Sequence, residues 1–449
     1  MQNHFKKKLI LKLVKSVITS KQKAKKWKPG DWIQYSGPYL DEKEYISIIE
    51  TLLEGWFILG KKGREFEQKF SPLLGKLDGV MTNSGSSANL LMVSMLKSKR
   101  GYNLPKGSKF ITPVVCFPTT INPLLQNGFK PVFVDVELPN LNLNLDEVEA
   151  LLKKDKNIKG IIFAHVLGNP PDMDRLMGLI KKYKLIFLED CCDALGSTWD
   201  DKPLGSFGDM STCSFFPAHH MTTGEGGFVA CKTLNDRVLL SSFRDWGRAC
   251  NCNTFKPGDV TEGTSCGNRF NSWFKNAPDI TYDHRYVFNE IGYNLKPTEM
   301  QAAMGLAQLE KLDEMYIKRK HNFNRLYEIF SKYEEYFYLP KPLGKADPNW
   351  FGFLVTLKDN IPFTKNQFVN YLEGAKIQTR SYFTGNALFH PAYEDLAKEY
   401  KDPYNDFPVA TKVTKDSFFL GVSPLITEEQ MDYIQKITNA FLFSIKNLI

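Results

Sequence analysis

Three short segments hold residue types able to bind a small anionic ligand and move protons on it. The first is Asn83-Ser84-Gly85-Ser86-Ser87-Ala88-Asn89, which follows an apolar run and opens a helical pattern. Backbone N–H groups at such a helix start, flanked by small hydroxyl residues, suit a phosphate. A plain Ser/Gly helix cap explains the same residues equally well. The second is an apolar run from Leu185 that ends in Glu189 and Asp190. A carboxylate at the end of a strand can hold a protonated ring nitrogen; a solvent-facing turn acid is the alternative. The third runs from Ser214 through Phe216, Pro217, His219 and His220 to Gly227. Imidazole, with an ordinary pKa of about 6.5, suits proton transfer near neutrality. Cysteines form a fourth group: Cys191-Cys192 directly after Asp190, then Cys250-Asn251-Cys252, then Cys266. Four thiolates suit zinc or an iron–sulfur cluster, and spacing alone does not separate them. Cys116, Cys213 and Cys231 lie in apolar runs and read as buried free thiols.

Such residues need a scaffold that brings strand ends together. Short apolar runs recur at 80–82, 110–115, 131–136, 160–165, 185–189, 212–216 and 227–231, with helical patterns at 87–98, 146–153 and 174–183 between several of them. Alternation of this kind predicts an α/β fold with a mostly parallel sheet covered by helices on both faces. Ligands then collect at the carboxyl ends of the strands, where all three segments fall. Residues 232–295 show little regular pattern, a helix is expected from Pro297 to Arg319, and mixed helices and strands follow. The expected division is a basic arm and lead-in over 1–40, a large α/β domain over 41–310 with a loop at 245–270, and a small α+β domain over 311–449.

The 449 residues are 43% hydrophobic and 13% aromatic, which excludes a disordered or collagen-like chain. Net charge is +8, yet the first thirty residues hold ten Lys and no acid. The remainder is close to neutral, which argues against a nucleic-acid partner. The arm reads as an amphipathic helix with Phe5, Leu9, Leu13 and Val17 on one face, docked on the body. Lys12 and Lys15 interrupt it too often for an export signal or a membrane span. The eight Cys are therefore expected in a reducing cytoplasm.

Taken together, these segments resemble the DegT/DnrJ/EryC1/StrS family of sugar aminotransferases and dehydratases, within the pyridoxal-phosphate fold-type I superfamily. The resemblance extends to Gly60-Lys61-Lys62-Gly63, Pro113 to Thr120, Val134-Asp135-Val136, His165 to Pro170, Gly205 to Asp209 and Gly292-Tyr293-Asn294. It implies a mostly parallel seven-stranded sheet with a smaller C-terminal domain. It also implies that Asp190 pairs with the cofactor's pyridine nitrogen and that Gly85, Ser86, Ser87 and Ser214 hold its phosphate. Phe117 would stack on the ring, and Asn294 would reach the phosphate of a neighbouring subunit in a homodimer with shared active sites. The family's aminotransferases carry a Schiff-base Lys two residues after the Pro of the third segment. Here that position is His219, and no Lys occurs from Ser206 to Cys231. The resemblance therefore implies non-covalent pyridoxamine or pyridoxal phosphate, with His219 as base and His220 in reserve. Asp193 and Phe216 resemble the family's dehydratase branch, with Phe216 and His220 lining the substrate pocket.

Cys192, Cys250, Cys252 and Cys266 resemble the ligand set of the branch that dehydrates CDP-linked 4-keto-6-deoxyhexoses at C3 with a [2Fe–2S] cluster. The last gap is longer here than in that branch, as an insertion in a loop allows. What this branch implies is a 3-dehydratase of a nucleotide-linked sugar, supplied with electrons by a flavin and iron–sulfur reductase or a ferredoxin, in dideoxysugar synthesis for cell-surface polysaccharide. CDP is the implied nucleotide, with dTDP and GDP open. A cluster-free dehydratase and an inactive binding relative remain as alternatives.

Overall fold

The computed structural model describes residues 2–24, 26–250 and 269–446. Seven strands build the central sheet: β1 Asp78–Thr82, β2 Lys109–Pro113, β3 Lys130–Val134, β4 Ile158–Ala164, β5 Ile186–Asp190, β6 Met210–Ser214 and β7 Gly227–Cys231. Their spatial order is β1-β7-β6-β5-β4-β2-β3. Strand β7 runs antiparallel to both of its neighbours, and the other pairings are parallel. The expected runs lie within two residues of these strands. Continuous apolar runs form here because helices cover both faces, so neither face can be polar. One layer packs Phe66, Phe70, Phe215 and Phe228 as stacked and edge-on rings. Each such ring contributes about 1.5–3 kcal/mol on burial.

The helices between strands start on side-chain caps. Ser84 accepts from the Ser87 amide at the start of α1 (Gly85–Met95), and Asp172 accepts from the Arg175 amide ahead of the helix Met173–Tyr183. The stretch 232–295, expected to be irregular, contains the helix Leu234–Arg244, capped by Thr233. The single helix expected over 297–319 is two, Glu299–Leu309 and Leu312–Phe330. Between them the buried Lys311 turns its ammonium to Asp41 and Glu44, which a straight helix would not permit.

A four-stranded antiparallel sheet forms the small domain, in the order Phe337–Tyr338, Gly352–Leu357, Ser417–Gly421, Thr379–Ser381. Ile33 of the lead-in belongs to its core, and the Ile33 amide bonds the Lys376 carbonyl.

The arm is the helix Gln2–Ala24, but it docks by a different face from the one its pattern implied. Lys7, Leu11, Val14 and Ile18 are the half-buried stripe, and Lys7 and Lys15 pair with Glu50, Glu54 and Glu42 of the helix Glu42–Glu54. Phe5, Leu9, Leu13 and Val17 are exposed. Two apolar stripes share one helix, and the ion pairs select which one packs. Among the described residues no helix is long and apolar enough to cross a membrane.

Candidate active site

Strands β1, β2, β5 and β6 end around one pocket floor. Asp190, the last residue of β5, is 4% exposed. Its Oδ2 accepts from Asn89 Nδ2 at 2.8 Å and Thr120 Oγ1 at 2.9 Å, and its Oδ1 accepts from the Cys192 amide at 3.1 Å. Thr212 on β6 donates to Asn89 Oδ1 at 2.6 Å and so fixes that amide. Each of these partners is neutral, so the carboxylate is held in place by hydrogen bonds and not by an ion pair. Glu189, its neighbour in the chain, faces the opposite side of the strand. It is fully buried against His165 at 3.2 Å and the Gly205 amide at 2.8 Å.

The start of α1 packs tightly against β6 and β7. A Cβ on Gly85 would lie 2.5 Å from Ser214 Cβ, and one on Gly227 would lie 2.2 Å from the Ser84 carbonyl oxygen. Only glycine permits this approach, and it brings Ser214 to the helix N-terminus, where backbone N–H groups favour an anion. Ser87 spends its amide on the cap, and Ser86 Oγ lies 3.3 Å from Thr119 Oγ1. Phe117, just before the helix Pro118–Gln126, is 49% exposed, and Phe216 is 46% exposed.

His219 sits on a turn closed by its own amide bonding the Phe216 carbonyl. Its Nδ1 lies 3.2 Å from Asp193 Oδ1. Burial pushes the Asp193 carboxyl up, against the opposing pull of His219. The His219 ring lies 5.3 Å from that of Phe351. Its backbone carbonyl accepts from the guanidinium of Arg319, which is 1% exposed and pushed down to about 10 by burial. His220 is buried beside His219: it is 3% exposed, its Nε2 lies 2.8 Å from the Asn349 carbonyl oxygen, and burial holds its pKa well below the usual histidine value. It serves as packing behind His219.

Asn294 directly precedes Leu295, whose carbonyl accepts from the amide of Asn83 at 2.8 Å, at the start of the first segment. Asn294 is exposed, with Oδ1 accepting from Lys296 at 2.7 Å and its backbone bridged to Asp245. Cys192 and Cys250 are partly buried, whereas Cys252 and Cys266 lie outside the described residues. Cys116, Cys213 and Cys231 are buried free thiols, and burial pushes Cys231 up to about 12. Asn89, Thr120, Arg319 and Phe351 contact Asp190 or His219 without standing out in the sequence pattern. Asn89 closes the first segment one turn beyond Gly85, a placement that could have flagged it.

The family profile of the DegT/DnrJ/EryC1/StrS aminotransferases matches residues 38–438. The chain belongs to this family. It is 40% identical to the Salmonella typhimurium lipopolysaccharide biosynthesis protein RfbH over 89% of each chain. It is also 40% identical to the dTDP-4-dehydro-2,6-dideoxy-D-glucose 3-dehydratase of Saccharopolyspora spinosa, over 90% of this chain and 85% of that one. Among solved structures, E. coli GDP-4-keto-6-deoxy-D-mannose-3-dehydratase with bound hydrated PLP superposes with a TM-score of 0.77 at 28% identity. That match covers 91% of this chain and 100% of the other. The fold is thus that of the fold-type I enzymes, and the arm precedes the first residue that the family profile matches.

Proposed function

We propose that this family member removes the C3 hydroxyl of a nucleotide-linked 4-keto-6-deoxyhexose, with non-covalent pyridoxamine phosphate as cofactor and His219 as base. The observation that carries this reading is His219 where the family's aminotransferases place lysine, with its Nδ1 against the buried Asp193 carboxylate at 3.2 Å. Two relatives named as 3-dehydratases, one of a dTDP-linked and one of a GDP-linked sugar, support the reaction class. The residues present fit the cofactor. Asp190 is held by neutral hydrogen-bond donors, and the Gly85–Ser214 approach forms a cradle that a Cβ would fill.

When bound, pyridoxamine phosphate supplies the amine that condenses with the sugar ketone and a ring that accepts electrons. Asp190 holds the ring nitrogen protonated. Ser214, Ser86 and the α1 amides would hold the phosphate, and Phe117 would cover one face of the ring. Asp193 orients the His219 ring through Nδ1 and leaves Nε2 free to take a proton at C4′. Phe216 and Phe351 keep the surroundings of His219 apolar, which excludes competing water. Asn294 serves the neighbouring subunit's cofactor phosphate in a homodimer.

Replacement of C3–OH by C3–H consumes two electrons and two protons and releases water. Cys192, Cys250, Cys252 and Cys266 would hold a [2Fe–2S] cluster that passes the electrons singly from a reductase or ferredoxin in the cytoplasm. Cys192 directly precedes Asp193 and its amide bonds Asp190 Oδ1 at 3.1 Å, which suits delivery next to the pocket. CDP is the proposed nucleotide, on the pattern of these four Cys. The test is exchange of the C4′ hydrogens of bound pyridoxamine phosphate in D2O. Wild type exchanges; His219→Asn, which keeps the shape and loses the base, is expected to slow exchange at least a hundredfold. Exchange by His219→Asn at the wild-type rate refutes the assignment.

A further inference from the structure

The segment Tyr382-Phe383-Thr384-Gly385 ties the small domain to the strand end that bears Phe117. Thr384 Oγ1 donates to the Cys116 carbonyl at 2.8 Å, and the Ala387 amide donates to the Val114 carbonyl at 3.1 Å. Within this segment Phe383 has φ +45°, in the left-handed region where a bulky residue is an outlier. Gly385, two residues on, also has positive φ, and a Cβ there would lie 2.4 Å from Thr414 Oγ1. The turn thus places glycine where contact forbids a side chain and keeps phenylalanine where asparagine or glycine would be less strained. A strained residue persists when its side chain has a task that the surrounding structure enforces.

That side chain has two aromatic neighbours. Its ring lies 4.5 Å from Tyr382, tilted by 30°, and 6.1 Å from Phe117, edge to face at 72°. Among the described residues, Phe383 is the one aromatic ring in contact with Phe117, which is otherwise half-exposed. Tyr382 is 2% exposed and anchors the pair in the core that joins the two domains.

We propose that Phe383 is a positioning residue, whose ring holds Phe117 in its stacking orientation over the cofactor and so ties cofactor affinity to the small domain. This rests on the reading that Phe117 stacks on the cofactor ring. The strained backbone of Phe383 is then the local cost of placing a ring from the second domain at that point.

The experiment measures pyridoxamine phosphate affinity by equilibrium dialysis, the circular dichroism of the bound cofactor, and the thermal midpoint of cofactor-free protein. It uses Phe383→Asn, Phe383→Tyr and Phe117→Leu. Phe383→Asn is expected to weaken affinity at least fivefold and change the cofactor's dichroism, while the cofactor-free midpoint holds or rises. Phe383→Tyr, which keeps the ring, is expected to stay within twofold of wild type. Wild-type affinity in Phe383→Asn, with Phe117→Leu weakened, overturns the inference and leaves the stacking reading intact. Wild-type affinity in Phe117→Leu overturns the stacking reading itself. Equal losses in Phe383→Asn and Phe383→Tyr, with a falling cofactor-free midpoint in both, mark Phe383 as ordinary packing and also overturn the inference.

Discussion

Asp193→Asn isolates the contribution of one carboxylate to the base. Asp193 is 4% exposed, and its Oδ1 lies 3.2 Å from His219 Nδ1. Asparagine fills the same volume, so the packing around it should survive. What disappears is the charge facing Nδ1. The pair stands at ion-pair distance, catalytic contacts of this kind tighten when the ligand is bound, and a hydrogen bond to a charged group is then worth about 1.5–3 kcal/mol. At about 1.36 kcal/mol per tenfold in rate, that predicts roughly 10- to 150-fold slower proton transfer at C4′. The assay is solvent-deuterium exchange into bound pyridoxamine phosphate, followed by NMR or mass spectrometry under cofactor saturation. Cofactor affinity should change little, because Asp190 and the α1 cradle are untouched. Exchange within threefold of wild type refutes the idea that Asp193 orients and supports His219. Loss of cofactor binding in place of rate would show that Asp193 belongs to the cofactor cradle.

Three further outcomes follow from the same geometry. Gly85→Ala drives a Cβ to 2.5 Å from Ser214 Cβ, so overpacking of about 1–3 kcal/mol and loss of cofactor binding are expected, read by urea unfolding and dialysis. Lys76 is buried, and burial lowers its pKa to about 8 from the ordinary 10.5. Below about pH 8 folded and unfolded chains both hold this proton and the full cost of burying the charge is present. Between about 8 and 10.5 the folded chain loses it first, so stability rises with pH. Relative to Lys76→Met, wild type should gain roughly 3 kcal/mol across that window in urea unfolding, and no gain would contradict the burial argument. Cys250→Ser should lower iron and acid-labile sulfide after anaerobic purification to a small fraction of wild type; equal iron in both proteins would remove Cys250 from the ligand set.

Much of this architecture is legible from local pattern. Strands β1 to β7 are short, doubly covered and continuously apolar, so each shows itself within its own few residues. Asp190, His219 and Gly85 are equally legible because each stands at a fixed place in a local motif. The contacts that make them work are not local. Asp190 is held by Asn89 and Thr120, which lie 101 and 70 residues away in the chain. Arg319 reaches the His219 carbonyl from 100 residues on. Lys311 breaks a helix that periodicity alone would continue, because two distant acids compete for its charge. The arm misleads for a related reason: two apolar stripes run along one helix, and the acids that choose between them lie on Glu42–Glu54.

The central claim is that a histidine-based site eliminates a hydroxyl where its lysine-bearing relatives exchange an amine. The direct measurement is the fate of oxygen-18 at C3 of a CDP-linked 4-keto-6-deoxyhexose, incubated with iron-replete protein, pyridoxamine phosphate and a reducing partner. The account predicts pyridoxamine-phosphate-dependent loss of the label to water and a 3-deoxy product, abolished in His219→Asn. Retention of the label, with a 4-amino sugar formed and a borohydride-trapped cofactor on a lysine, would contradict it.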